Sequence, residues 1–356
     1  MKIQILDSSS PLWMETLEQL RHDVYHLPEY VCLEAKRTQT APEAILIAED
    51  DKIFFLPYLL RRSDDLFDEQ LAEEVFDVVS PYGYPGFLLN EAAVSNPNFL
   101  IRAIEHLTQA WRDRNICSAF LRLHPILNPD VNALTKNDLF TLNGETVSVD
   151  LTLDKSEIWR QTRSEHRNKI NRCVREGFSA KMVPIHEYIN DFNAIYEETM
   201  ARVGAAQLYY FGTNYFQKFI DVLGDKLHLC MVELKGEITC GGLFTECCGI
   251  VQYHLGGTKS SFLKQAPTKL MFDYVRFWAK ERGNQVLHLG GGLGGSQDSL
   301  YHFKAGFSKE RHTFFTLRLI TNEEKYLHLV NLRAKYLNIE VEHLLNTNFF
   351  PAYRSN

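Results

Sequence analysis

The run Leu287-His-Leu-Gly-Gly-Gly-Leu-Gly-Gly-Ser-Gln-Asp-Ser-Leu-Tyr-His-Phe-Lys-Ala-Gly-Phe restricts how this chain can fold more than any other segment. Apolar residues lead into five glycines within six positions, Gly290 to Gly295. Neither a helix nor a strand tolerates that density, because glycine loses the most backbone freedom on ordering. The segment therefore reads as a strand that stops, a close turn, and a short helix capped by Ser296 or Asp298 and ended by Gly306. Glycines at a strand end let another backbone or a ligand approach. On the short helix Tyr301 and Lys304 stand three residues apart, near one face. A cation held there can stabilise the oxyanion that forms when an amine attacks an ester or thioester. A tight loop with a surface lysine has the same spacing.

Around this segment one plan runs twice. The first half reads as a strand over Lys2–Leu6 and a helix from Pro11 to about Asp23, with Ser10 as cap. A hairpin follows over 44–49 and 53–60, turning at Asp50-Asp51. Next come the aromatic loop Ser80-Pro-Tyr-Gly-Tyr-Pro-Gly-Phe, a helix after Asn96-Pro97 to about Arg114, and a strand over 119–123. The second half opens with a helix over Ser156–Gly177. A second helix capped by Asn190 runs to Val203, and a third spans Thr213–Leu223. The hairpin 227–234 and 237–245 turns at Lys235-Gly236. A strand from Ile250, a helix from Pro267 to Arg282 and a strand over 285–289 follow. The segment from Trp111 to Leu123 echoes Trp278 to Leu289: helix end, short turn, buried strand. The expectation is an α/β (α+β) fold of two duplicated domains, each a twisted mixed sheet flanked by helices. The domains are expected at 1–144 and 145–321. A terminal helix in 322–356 packs on this body through Tyr326, Val330, Ala334 and Leu337.

Composition narrows the function. The 356 residues are 45% hydrophobic, enough for two cores. A formal net charge of -7 excludes a general coater of nucleic acid. The 7 cysteines include no Cys-x-x-Cys and no regular Cys/His spacing, which points to reduced thiols and no metal. The Cys247-Cys248 pair is explained by a turn. No stretch has the apolar length of a membrane span, and the first residues do not form a signal peptide. A cytoplasmic protein is expected. No Gly-x-Ser-x-Gly elbow, phosphate-binding loop or dinucleotide fingerprint is present.

Three further constellations can carry chemistry. Arg160, Arg163 and Arg167 fall on one helical stripe that can hold phosphates, or simply form a solvated face. Arg202 precedes Tyr209, Tyr210 and Phe211; this stretch can line a groove, while Glu198–Arg202 pairing and core aromatics are the plain alternative. Tyr253-His-Leu-Gly-Gly-Thr ends a strand, and Thr268 lies in the first turn of the next helix, whose N-terminus is a natural anion site.

With these residues the chain resembles the FemAB family of GNAT-like transferases. The ordered segments Arg163–Gly177, Tyr196–Arg202, Tyr209-Tyr-Phe, Tyr253–Thr258 and His288–Phe307 carry the resemblance. Asp23-Val-Tyr-His-Leu-Pro-Glu-Tyr and Ser80–Gly86 look like the partner domain of related proteins. The resemblance implies two tandem GNAT-like domains and transfer of an acyl or aminoacyl group onto an amine of a cell-envelope peptide or amino sugar. It implies Lys304 and Phe303 as the residues that handle the acyl donor and its oxyanion. The resemblance implies Arg202, Tyr209 and Tyr253 in the acceptor groove; from the residues themselves Tyr210, Arg163, Arg167 and Tyr301 join the substrate side, and Gly290, Gly291, Gly292 and Thr268 the donor side. No cofactor is held permanently; the co-substrate is aminoacyl-tRNA or acyl-CoA. The partners are a small-molecule or lipid-linked envelope precursor and the acceptor end of a tRNA, with no DNA and no integral membrane segment. The coenzyme A signature of the wider GNAT group is replaced here by Leu263-Lys-Gln-Ala-Pro-Thr, and the long helical arm of some members is absent. An acyl-CoA-dependent N-acyltransferase of a polysaccharide pathway, or a non-catalytic glycan- or peptide-binding paralogue, are the competing readings.

Overall fold

Ala44-Ile-Leu-Ile and Phe54-Phe-Leu are buried on both faces, so the first hairpin lies inside a sheet covered on two sides. The structure, a computed structural model, describes residues 1–63, 66, 73–128, 131 and 140–355. The chain divides into two compact units, Met1–Asn143 with Phe314–Asn356, and Gly144–Thr313.

The first unit contains β1 (Lys2–Asp7), α1 (Pro11–Leu17), α2 (Pro28–Thr38), β2 (Ala41–Glu49), β3 (Lys52–Arg62), β4 (Phe76–Val79), β5 (Leu88–Leu89), α3 (Glu91–Val94), α4 (Pro97–Arg112) and β6 (Ile116–Arg122). Strand β7 (Phe140–Asp150) carries the chain into the second unit. There follow α5 (Lys155–Gln161), α6 (Ser164–Glu176), β8 (Phe178–Val183), α7 (Ile185–Val203), α8 (Gly212–Leu223), β9 (Leu227–Leu234), β10 (Glu237–Cys247), β11 (Ile250–Thr258), α9 (Pro267–Glu281), β12 (Val286–Gly290) and α10 (Ser299–Lys304). Strand β13 (Glu310–Ile320) leads back to the first unit, which ends with α11 (Glu323–Leu337) and α12 (Val341–Leu345).

The two sheets have the same order and sense. In the first unit it is β1-β2-β3-β4-β6-β13, antiparallel except for the parallel pair β4/β6, with β5 added on β3. In the second it is β8-β9-β10-β11-β12-β7, antiparallel except for the parallel pair β11/β12. The last strand of each sheet is exchanged. β7 follows β6 in the chain but pairs with β12, whereas β13 follows β12 but pairs with β6. Residues 314–321, expected in the second domain, are thereby placed in the first unit, together with the terminal helices.

Each sheet carries its own core. Ile45, Phe54, Leu107, Trp111 and Leu121 pack in the first unit, and Val149, Ile170, Phe244, Met271 and Leu287 in the second. Tyr326, Val330 and Ala334 of α11 join Cys117 and Tyr353 in a further cluster of the first unit, with Leu337 at its margin.

Some local expectations change. The helix expected over 156–177 is two helices, broken at Thr162-Arg163. The Thr162 hydroxyl bonds the carbonyls of Ile158 and Phe307 and receives Arg276, which fixes the extended residue at the break. Asn190 does not cap a helix, because α7 already starts at Ile185 behind Pro184. The first helix stops at Leu17, and the Asp23 carboxylate, accepting from Val24 N–H, caps a separate short turn. The terminal helix stops where Asn338 turns left-handed, with φ of 53°. Among the described residues no helix is long and apolar enough to cross a membrane.

Candidate active site

Strands β11 and β12 pair only over Ile250↔Val286, Val251↔Leu287 and Gln252↔His288. Beyond these rows β11 continues to Thr258 on β10, while β12 ends at Gly290. The two parallel strands therefore part like a fork. In an open α/β sheet such a parting at the carboxyl ends of strands is where ligands enter.

The glycine run shapes one arm. Gly290 has φ of 77°, which turns the chain out of the strand. At Gly292 a Cβ would lie 2.1 Å from the Ser296 carbonyl oxygen and 2.4 Å from Asp298 Oδ1. The close approach that Gly292 permits is thus filled by the protein's own chain. The Asp298 carboxylate organises the loop, accepting from Tyr301 N–H (2.9 Å) and Leu293 N–H (3.1 Å). Asp298, not Ser296, caps α10.

Lys304 ends α10 and points into the fork. Its Nζ donates to the Gly291 carbonyl at 2.7 Å and lies 5.7 Å from the centre of the Tyr253 ring, so it meets both arms. The side chain is buried, and burial lowers its pKa to about 8 against the opposing pull of Asp298. An ammonium has three donors. The bond to Gly291 is the single hydrogen bond of this one among the described residues. Tyr253 is wedged against Phe244 and Phe272, and burial pushes its hydroxyl well above the ordinary range. A Cβ at Gly256 would lie 2.3 Å from that hydroxyl.

Residues 160–304, which hold this fork, match the acetyltransferase (GNAT) domain family. Among solved structures, FemX superposes with a TM-score of 0.66 at 13% identity, covering 92% of this chain and 99% of that one. The fold is FemAB-like. L-PGS from Bacillus licheniformis gives a TM-score of 0.51 at 16% identity, over 94% of this chain and 98% of that one. A C-terminal domain from Agrobacterium fabrum, assigned to a lysylphosphatidylglycerol synthetase, gives 0.51 at 12% identity, over 88% and 93%. No curated protein sequence matches the chain.

Within this FemAB-like fold the other expected residues separate into distinct jobs. Phe303 packs on Phe272, Phe307 and His166. Tyr301 is a clasp: its hydroxyl donates to Glu145 at 2.7 Å and accepts from Arg311 at 3.2 Å. Arg163 holds the His302 carbonyl, and its backbone N–H holds that of Gly306. Arg160 sits on a different helix and pairs with Glu157, so the arginine stripe is interrupted. Arg167 is half-buried on α6, and its guanidinium has no hydrogen-bond partner among the described residues.

Arg202 and Glu198 do not pair with each other. Arg202 donates to the Thr258 carbonyl (2.9 Å) and Ser260 (3.0 Å), and Glu198 accepts from Ser260 N–H (2.7 Å). The end of α7 thus grips the chain leaving β11. Phe211 is core, against Tyr196, Tyr215 and Phe216, while Tyr209 and Tyr210 are half-buried. Thr268 bonds Thr258 at 2.6 Å and fixes the start of α9 beside β11. No side chain caps α9. The role of Glu145 was not apparent from sequence, since its partners Tyr301 and Gln297 are more than 150 residues away.

Proposed function

We propose that the second unit transfers an acyl or aminoacyl group to an amine of a cell-envelope peptide or amino sugar. The observation that carries this reading is Lys304: a buried ammonium at a strand fork with a single hydrogen bond. A donor carbonyl placed in the fork brings its oxygen to the unused N–H groups. As the acceptor amine attacks, the new C–N bond forms and negative charge collects on that oxygen, where Lys304 stabilises it. Collapse breaks the C–O bond of an ester or the C–S bond of a thioester. The leaving oxygen or sulfur takes up the proton that the amine gives away, and no covalent enzyme intermediate is needed.

An aminoacyl donor is supported by the FemAB-like segments around Lys304 and by the likeness to FemX and to a domain assigned to a synthetase of lysylphosphatidylglycerol, a lipid ester of an amino acid. An acyl-CoA donor is the second reading. What favours it is the uncapped start of the fifteen-residue helix α9 beside the fork, a place where amide N–H groups receive phosphate. The protein is expected to act in the cytoplasm. A panel of charged tRNAs and acyl-CoAs, offered with candidate amine acceptors and read by the mass of the product, decides between the donors. Ribonuclease abolishes a tRNA-dependent reaction and leaves a coenzyme A reaction intact. Full turnover by Lys304→Ala with the active pair overturns the role given to Lys304.

A further inference from the structure

A second place in the molecule has charge that nothing among the described residues balances. In the first unit the parallel strands β4 and β6 part after Val79↔Phe120, and the loop beginning at Ser80 takes over. Ser80 N–H and Gly86 N–H donate to the carbonyls of Phe120 and Arg122. On one face of this sheet end, Arg122 lies opposite Thr316, and Phe120 lies opposite Arg318. Arg122 and Arg318 are therefore diagonal neighbours across adjacent strands, about 7–8 Å apart at their Cα atoms, within reach of long side chains.

Both guanidinium groups lie by the same ring. Their carbons are 5.8 Å (Arg122) and 6.0 Å (Arg318) from the centre of Phe120. Both residues are partly buried. Among the described residues Arg318 Nε is fully enclosed with no hydrogen-bond partner, and neither guanidinium meets a carboxylate. Asp77, one row along the face, is already taken by Arg61 and Arg354. Two cations stacked on one ring repel each other, and their desolvation is uncompensated unless an anion joins them. The cation–ring contacts fix the two planar forks without using their N–H groups.

We propose that Arg122 and Arg318 form a binding site for a diphosphate group, at the carboxyl ends of the parallel pair of the first unit. Thr316, held from one side by Asn143 Nδ2 at 3.0 Å, lies opposite Arg122 at the same end. Two guanidinium forks match the oxygens of a diphosphate better than a lone phosphate or carboxylate would use them. The site does not depend on the acyl-transfer reading, which concerns the second unit.

Calorimetric titration of the full chain with inorganic pyrophosphate, and in parallel with ADP, at constant ionic strength tests this. Saturable binding of one equivalent is expected, weaker by about tenfold or more in Arg122→Gln and in Arg318→Gln, each of which loses a charge-assisted pair. If pyrophosphate binds and ADP does not, the site takes free diphosphate; if ADP binds, it takes an esterified one. No saturable binding of either ligand, or undiminished binding by both variants, overturns the proposal. A ligand-free measurement guards against misfolding. If the two cations are unbalanced, Arg318→Gln melts no lower than the parent at low salt, whereas a clear drop in melting temperature shows that the arginine is already satisfied and also overturns the proposal.

Discussion

Lys304 Nζ donates to the Gly291 carbonyl at 2.7 Å, joining the end of α10 to the arm of the fork that the glycines shape. The contact spans thirteen residues and encloses the loop between them. Loop and lysine therefore form one unit, and a change in either reaches the other.

The charge on Lys304 sets a pH limit. Its pKa is lowered from the ordinary lysine value of 10.5 to about 8 by burial. If the ammonium stabilises the oxyanion, the rate falls as pH rises through about 8, and a rate profile at saturating substrate shows this limb. Lys304→Met abolishes the limb and lowers kcat by about 10²–10³-fold, the usual loss for one oxyanion donor. Stability moves the other way. The unfolded lysine binds a proton more tightly than the folded one, so unfolding is harder as pH rises from about 8 toward 10.5. Chemical denaturation at pH 7 and pH 9 measures the difference, which Lys304→Met removes.

Asp298 links the cap to that titration. Asp298→Ala loses the bonds to Tyr301 N–H and Leu293 N–H, at a cost of about 1 kcal/mol. Asp298→Asn keeps an accepting oxygen and most of the stability, but it removes the charge that favours the Lys304 ammonium. Its rate profile shifts to lower pH. An unshifted profile with restored stability separates the two roles against the electrostatic one.

The glycines of the loop are unequal. Gly292→Ala meets the Ser296 carbonyl and Asp298, and thermal unfolding is expected to show a loss of about 3 kcal/mol. Gly294 has φ of 61° but nothing within 4 Å, so Gly294→Ala costs only the left-handed strain, about 1 kcal/mol. Equal effects on melting contradict this assignment.

Arg202 holds the loop after β11. Arg202→Ala releases Thr258 and Ser260, and hydrogen exchange of the amides over 258–265 accelerates by about tenfold, the equivalent of roughly one hydrogen bond. Substrate KM rises if that loop borders the fork, while the overall fold is kept.

Much of this was legible in sequence because local chemistry decided it. The hairpin turn at Lys235-Gly236, the start of α9 at Pro267, the stop at Gly290 and the placing of Lys304 on a short helix each follow from residues within a few positions. The break at Thr162 was not, because it is held by Phe307 and Arg276, more than 100 residues away. Glu198 and Arg202 have helical spacing, yet each finds a better partner in the loop at Ser260. Strands β4, β5, β7, β8 and β13 and helices α2 and α3 were not anticipated. For β7 and β13 the reason is clear: their neighbours lie far along the chain.

That exchange of last strands has a consequence for how the protein is made. The second sheet has all its strands once β12 has left the ribosome, since β7 comes earlier in the chain. The first sheet cannot close until β13 is synthesised, although its other strands come first. The N-terminal half must wait with one edge of β6 unpaired through the synthesis of roughly 200 further residues, an interval of about 10–40 s at ordinary elongation rates. An open strand edge is a template for wrong pairing. The nascent first unit, rather than the finished protein, is therefore the form most exposed to aggregation and most in need of a chaperone.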